Sequence, residues 1–163
     1  MKKGIIFLLV FLAAGVSVYS QDWTADPTYG ELFLDEYFTP DPTVLEILAG
    51  GNVDLTRSLV SGLPRSVTGF VAQAPDLDFY YATSGNMRLT IRVRGYGEDT
   101  VLLINDPEGR WYFNDDSPDF EDGDWLDPSI TFNRPLPGLY SIWVGTFSES
   151  EFIDVDLEIT ELH

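Results

Sequence analysis

Arg88-Leu-Thr-Ile-Arg-Val-Arg94 alternates without a break: Leu89, Ile91 and Val93 share one face, and Arg88, Thr90, Arg92 and Arg94 share the other. A period of two is what a strand with one dry face and one wet face requires. Further along the chain the pattern returns with the opposite charge. Ile153, Val155, Leu157 and Ile159 point one way, and Asp154, Asp156, Glu158 and Thr160 point the other. An arginine-bearing face and a carboxylate-bearing face are complementary on neighbouring strands of one sheet. Each exposed cross-strand pair contributes only about 0.2–1 kcal/mol, so such pairs favour register more than stability.

Outward from this segment the chain reads as short strands divided by turn residues. Thr100-Val-Leu-Leu-Ile104 is apolar along its length, as expected of a strand covered on both faces. It stops at Asn105-Asp-Pro-Glu-Gly109, where Pro107 pre-sets a turn and Gly109 supplies a permissive backbone. Trp111-Tyr-Phe113 follows, then a long acidic loop, then Ser129-Ile-Thr-Phe132. Leu136-Pro137-Gly138 turns into Tyr140-Ser-Ile-Trp-Val144, and Gly138-Leu-Tyr140 has the form of a tyrosine corner, a structural device. Upstream, Leu45-Glu46-Ile47-Leu48 runs to Gly50-Gly51, and Val53 and Leu55 alternate with Asn52 and Asp54. Residues 69–73 are short and apolar, and residues 78–82 are aromatic. No stretch after residue 50 sustains a helical period. The expected fold is all-β: a two-sheet antiparallel β-sandwich, jelly-roll-like, over residues 43–163.

Residues 1–20 read as a secretory signal. Lys2 and Lys3 form a charged start, residues 5–14 are uninterruptedly apolar, and Val18-Tyr19-Ser20 offers compact residues for cleavage after Ser20. The apolar run is shorter than the roughly 20 residues of a spanning helix, and no cysteine follows it for a lipid anchor. The expected location is secreted or periplasmic, with no membrane span after cleavage. Residues 21–42 form an acidic, Pro-rich lead with aromatic islands at Trp23, Tyr29, Phe33, Tyr37 and Phe38. It reads as flexible, with residues 29–34 a weak candidate for an added strand.

Composition removes several classes of function. The 163 residues carry 27 acidic groups against nine basic ones, a net charge of −18. Both lysines lie in the first three residues, so the remainder is more acidic still and has arginine as its basic residue. Nucleic acid is excluded as a partner, because phosphate binding runs on clustered Lys and Arg. Absent cysteine excludes disulfides, thiol nucleophiles and thiolate metal sites. An apolar share of 44% and an aromatic share of 14% are enough for a packed core.

Four runs occur in the order of one family: Asp99-Thr-Val-Leu-Leu-Ile-Asn-Asp-Pro-Glu-Gly109, Asn114-Asp-Asp-Ser117, Asp127-Pro-Ser-Ile-Thr-Phe132 and Pro137-Gly-Leu-Tyr-Ser-Ile-Trp-Val-Gly145. They resemble the bacterial pre-peptidase C-terminal domain over roughly residues 74–162. That family is a secreted, jelly-roll-like sandwich, often appended to exported proteases and related to the collagen-binding modules of bacterial collagenases. The resemblance implies a non-catalytic accessory or binding module, in some members with bound calcium. The chain departs from the family between Asp116 and Asp127, where an acidic insertion replaces a short Gly- and Ser-rich run.

Catalysis is tested by inventory. A Ser-His-Asp site needs a base titrating near neutrality, yet the only histidine is His163 and no lysine follows Lys3 to serve a Ser-Lys pair. The same shortage speaks against His-ligated zinc and the HExxH helix. A hydrolase built on two carboxylates, or a peptidase as the family name suggests, is the enzymatic alternative. The concentrated feature is the loop holding Asp115, Asp116, Asp119, Glu121, Asp122, Asp124 and Asp127. Crowded carboxylates repel, and calcium takes roughly 6–8 oxygen ligands from flexible loops. The register is not that of an EF-hand, since Pro118 and Phe120 fall at ligand positions when Gly123 takes the glycine position. Asp115, Asp116 and Asp127 are the leading ligand candidates, with Asp99 and Asn114 beside them. The competing reading is a solvated acidic loop that serves solubility. Trp125 is either a plug over the sandwich end or a ring for stacking sugars. The expected work is thus attachment, to a protein or a glycan.

Overall fold

The computed structural model describes residues 20–117 and 125–162. The expected sandwich is present: eleven strands in two sheets, with no α-helix among the described residues. No helix there is long and apolar enough to cross a membrane. Residues 1–19 of the expected signal, and His163, lie outside the described residues.

The four-stranded sheet, sheet B, runs β2 (Thr43–Gly50), β11 (Phe152–Thr160), β6 (Leu89–Arg94), β9 (Ser129–Phe132). The strands that alternate most strictly in sequence, β6 and β11, are antiparallel neighbours, with Arg92 opposite Glu158 and Arg94 opposite Asp156. Glu158 accepts from both arginines, at 2.5 Å from Arg92 Nε and 2.6 Å from Arg94 Nε. The complementary faces thus meet through one shared carboxylate.

The seven-stranded sheet, sheet A, places β5 (Leu77–Ala82) and β7 (Thr100–Asn105) on either side of the long β10 (Gly138–Thr146). β8 (Trp111–Asn114) extends it beyond β7, and β4 (Phe70–Val71) and β3 (Val53–Asp54) lie at the Thr146 end of β10. Gly145 permits that approach, because a Cβ there would stand 2.1 Å from the Phe70 carbonyl oxygen. Leu55 leaves the expected strand for a 3-10 turn (Leu55–Arg57), since the Asp54 carboxylate accepts from Thr56 N and turns the chain.

The lead is fastened to the sandwich over much of its length. β1 (Glu31–Asp35) pairs with β5 in parallel, the single departure from antiparallel order among the described strands, because the lead runs beside residues 75–76 in their own direction. Thr28 N donates to Pro75 O and Tyr29 N to Asp76 O. At its far end Tyr37 N donates to the Glu161 carboxylate, and Thr160 Oγ1 donates to Asp41.

Two apolar clusters result. Leu102 and Ile104 join Phe79, Tyr140, Ile91 and Leu157 between the sheets. Val101 and Leu103 face the other way, joining Leu55, Val71, Trp111 and Trp143 on the outer side of sheet A, under Val60, Leu63 and Val67. This is why β7 is apolar along its length: it is covered twice. Tyr140 forms the expected corner, its hydroxyl donating to Leu136 O and accepting from Leu136 N, both at 2.9 Å. Burial pushes its phenol up to about 12.

Candidate functional site

The residues expected to hold a cation lie around one end of the sandwich, and two of them, Asn114 and Asp127, have structural partners. Asn114, at the end of β8, accepts through Oδ1 from Ser117 Oγ at 2.9 Å and from Ser129 N at 3.0 Å. With Ser117 N donating to Trp125 O, it closes the neck of the acidic loop. Asp127 is buried, and its Oδ1 accepts from Gly95 N at 2.7 Å. Gly95 is needed there: a Cβ would come within 2.6 Å of Glu98 O. These two side chains therefore shape loops.

Asp99, Asp115 and Asp116 do share a field. Burial, then the charges of Asp116, Asp115 and Glu151, raise the Asp99 carboxyl above its ordinary value. Among the described residues, however, no group of three or more acidic or histidine side chains converges in a way that would hold a metal. Asp119, Glu121, Asp122 and Asp124 lie outside the described residues. Trp125 is 64% exposed, so it does not plug the sandwich.

One carboxyl is tuned toward neutrality. Asp76 is buried beside β10, accepts from Val144 N at 2.7 Å, and is pushed up to about 7 by loss of water. It edges a cavity of about 450 Å³ whose other described lining residues include Tyr29, Asn52 and Phe152 but no second acid. Two carboxylates across a sugar bond are therefore not assembled there.

A cleft lies on the outer face of sheet A among the described residues, where no spacing in the sequence announced it. It encloses about 730 Å³, and Gln21, Trp23, Asn105, Trp111, Leu139 and Ser141 contribute to its walls. Each is placed by local chemistry. Asp22 N donates to Gln73 O, and the Asp22 carboxylate caps the next turn by accepting from Thr24 N and Thr24 Oγ1. This sets Trp23 edge-on to Trp111, with ring centroids 6.4 Å apart at 72°. Trp111 in turn packs on buried Trp143 at 5.3 Å. The opposite wall is the expected turn: Asp106 accepts from Glu108 N, Arg110 N, Arg110 Nε and the Tyr112 hydroxyl, which leaves its charge engaged. Gln21 is 4% exposed; its Oε1 accepts from Ser58 Oγ at 2.7 Å, while its Nε2 has no hydrogen-bond partner among the described residues.

The same sheet face continues past the cleft in two rows. Strand register sets Leu139, Tyr80 and Phe33 side by side, and beside them Ser141, Asp78 and Glu31. Phe33 is exposed and stacks on Tyr80, with centroids 4.7 Å apart and planes 4° from parallel. Asp78 accepts from Ser141 Oγ at 2.8 Å, and burial foremost, with the charge of Glu31, raises it.

No protein-family model and no curated protein matches the chain. Among solved structures the chain is similar to CorA, described as a surface-associated copper-binding protein important in Methylomicrobium album BG8 copper acquisition, at 12% identity over 82% of this chain and 98% of that chain, with a TM-score of 0.43.

Proposed function

We propose that this chain is an exported, non-catalytic binding or accessory module of the pre-peptidase C-terminal type, working at the cell envelope or outside the cell by attachment through the outer face of sheet A. The observation that carries the reading is the Phe33–Tyr80 stack, held in the open on the face that also bears the 730 Å³ cleft. Aromatic surface left in water on a rigid sheet is a costly arrangement unless a partner covers it. The shortage of His and Lys supports attachment over catalysis. Retention of the purified protein on isolated cell-envelope material tests the reading. The Phe33→Ala/Tyr80→Ala variant is expected to lose retention while keeping its β-sheet circular dichroism. Unchanged retention overturns the assignment of the face, and hydrolytic activity that follows the protein through every column overturns the non-catalytic reading.

Calcium stabilisation is a second reading, favoured by the charges of Asp115 and Asp116 acting on Asp99. An ion bound to the folded state raises the melting temperature by mass action. Millimolar calcium is expected to raise it, and Asp115→Ala with Asp116→Ala to cancel the rise. No shift in the wild type removes the reading.

A further inference from the structure

We infer that the cleft beside Trp23 and Trp111 binds a neutral saccharide, with one sugar ring seated against Trp23 and the rest of the chain extending over Leu139, Tyr80 and Phe33. This rests on the binding-module reading and assigns it a ligand class and a subsite distinct from Trp125.

The chemistry of the walls selects the ligand. A volume of about 730 Å³ falls within the range of about 300–1,000 Å³ typical of small-ligand sites. A pyranose presents an apolar face of C–H groups and a rim of hydroxyls. Trp23, half exposed and braced edge-on by Trp111, supplies a flat apolar surface with a fixed orientation. Gln21 Nε2 is a buried donor with no acceptor among the described residues, and a buried donor left unmade costs stability. A sugar hydroxyl is an acceptor of the right kind and size to complete it. Asn105 and Ser141 add an amide and a hydroxyl to the same walls.

Charge excludes the nearest rivals. No cationic side chain among the described residues lines the cleft, and the molecule carries a net charge of −18, so phosphates and uronic acids are repelled. Asp106, the carboxylate among the described lining residues, is engaged by Arg110 and Tyr112 and is not available to hold an ammonium group. What remains is a ligand recognised by stacking and neutral hydrogen bonds.

The test uses the protein begun ahead of Gln21, at Val18, so that Ser20 stays in the wall and the Gln21 amide cannot cyclise onto a free amino terminus. It is titrated with neutral xylo-, cello- and manno-oligosaccharides of two to six units, and with polygalacturonate and chitosan oligomers as charged controls. Tryptophan fluorescence and calorimetry are the readouts. One neutral series is expected to bind, with affinity rising with length. Trp23→Ala is expected to weaken every length at least about tenfold, and Gln21→Ala about three- to tenfold, the scale of one hydrogen bond. Phe33→Ala is expected to weaken only the longer members. Trp125→Ala is expected to change nothing. Trp23 is exposed, so its loss does not threaten the core, and Trp23→Phe is expected to restore part of the binding. Tighter binding of either charged control overturns the ligand class, and binding abolished by Trp125→Ala alone overturns the site. No saccharide binding, together with envelope retention that still needs Phe33 and Tyr80, overturns this inference while the binding-module reading stands. Release of shortened sugars overturns the non-catalytic reading instead.

Discussion

Burial carries Asp76 to about 7, and the pH dependence of stability follows from that residue. The folded state holds this proton more tightly than the unfolded chain, whose carboxyl titrates near 3.8. The contribution is therefore intact below about pH 4 and is lost progressively as pH rises to about 7. At about 1.4 kcal/mol for each pH unit between those two titrations, the loss amounts to a few kcal/mol. Asp76→Asn keeps an acceptor for Val144 N without the charge. Melting temperatures from pH 4 to 8 should fall for the wild type relative to the variant, and parallel curves would contradict the account. Tyr140 gives a second prediction at this scale. Tyr140→Phe leaves Leu136 N without its acceptor and should cost about 1–2 kcal/mol in urea unfolding. The corner was legible in Gly138-Leu-Tyr140, because its partner lies four residues away. Asp76 was not, because its burial depends on Val144 and on a lead that docks from elsewhere.

Among the elements, β6 and β11 were the most readable, since strict alternation with opposite charges names both the buried face and the neighbour. Glu158 is the point where that pairing is concentrated. Replacing it by Gln removes two charge-assisted contacts to partly exposed arginines and should cost about 1–3 kcal/mol, measured by urea unfolding. The corresponding change at Asp154 (to Asn), exposed on the same strand, should fall within about 0.5 kcal/mol. β1 was less readable. Its Leu32 and Leu34 turn inward against the core, but the run is five residues long and sits among prolines and acids. Its parallel course beside β5 is a tertiary fact, decided by how residues 28–29 meet residues 75–76.

At the scale of the molecule, the double cover of β7 joins two clusters into one structure. Trp143 stands at the centre of the outer cluster, on the same strand as Tyr140, Ile142 and Val144 of the inner one. Trp143→Ala should therefore cost about 3–5 kcal/mol and lower a single transition, seen at the same midpoint by fluorescence and far-ultraviolet circular dichroism. Two separate midpoints would mean that the outer cluster melts by itself. The apolar run of β7 disclosed that something covers each face, but not that residues 60–67 form one cover. The cleft was hidden for the same reason. Its walls come from residues 21–23, 60–61, 105–111 and 137–141, and no spacing links them before the chain is folded.

The place of β11 has a consequence for how the protein is made. It lies between β2 and β6 in sheet B, and the residues at its end and just after it tie down Tyr37 and Asp41 in the lead. A nascent polypeptide therefore lacks the middle of one layer until β11 has left the ribosome, and every earlier length is a half-sandwich with an open apolar side. Sheet B is completed, and residues 37 and 41 of the lead are fastened, only once β11 and residues 160–161 are in place.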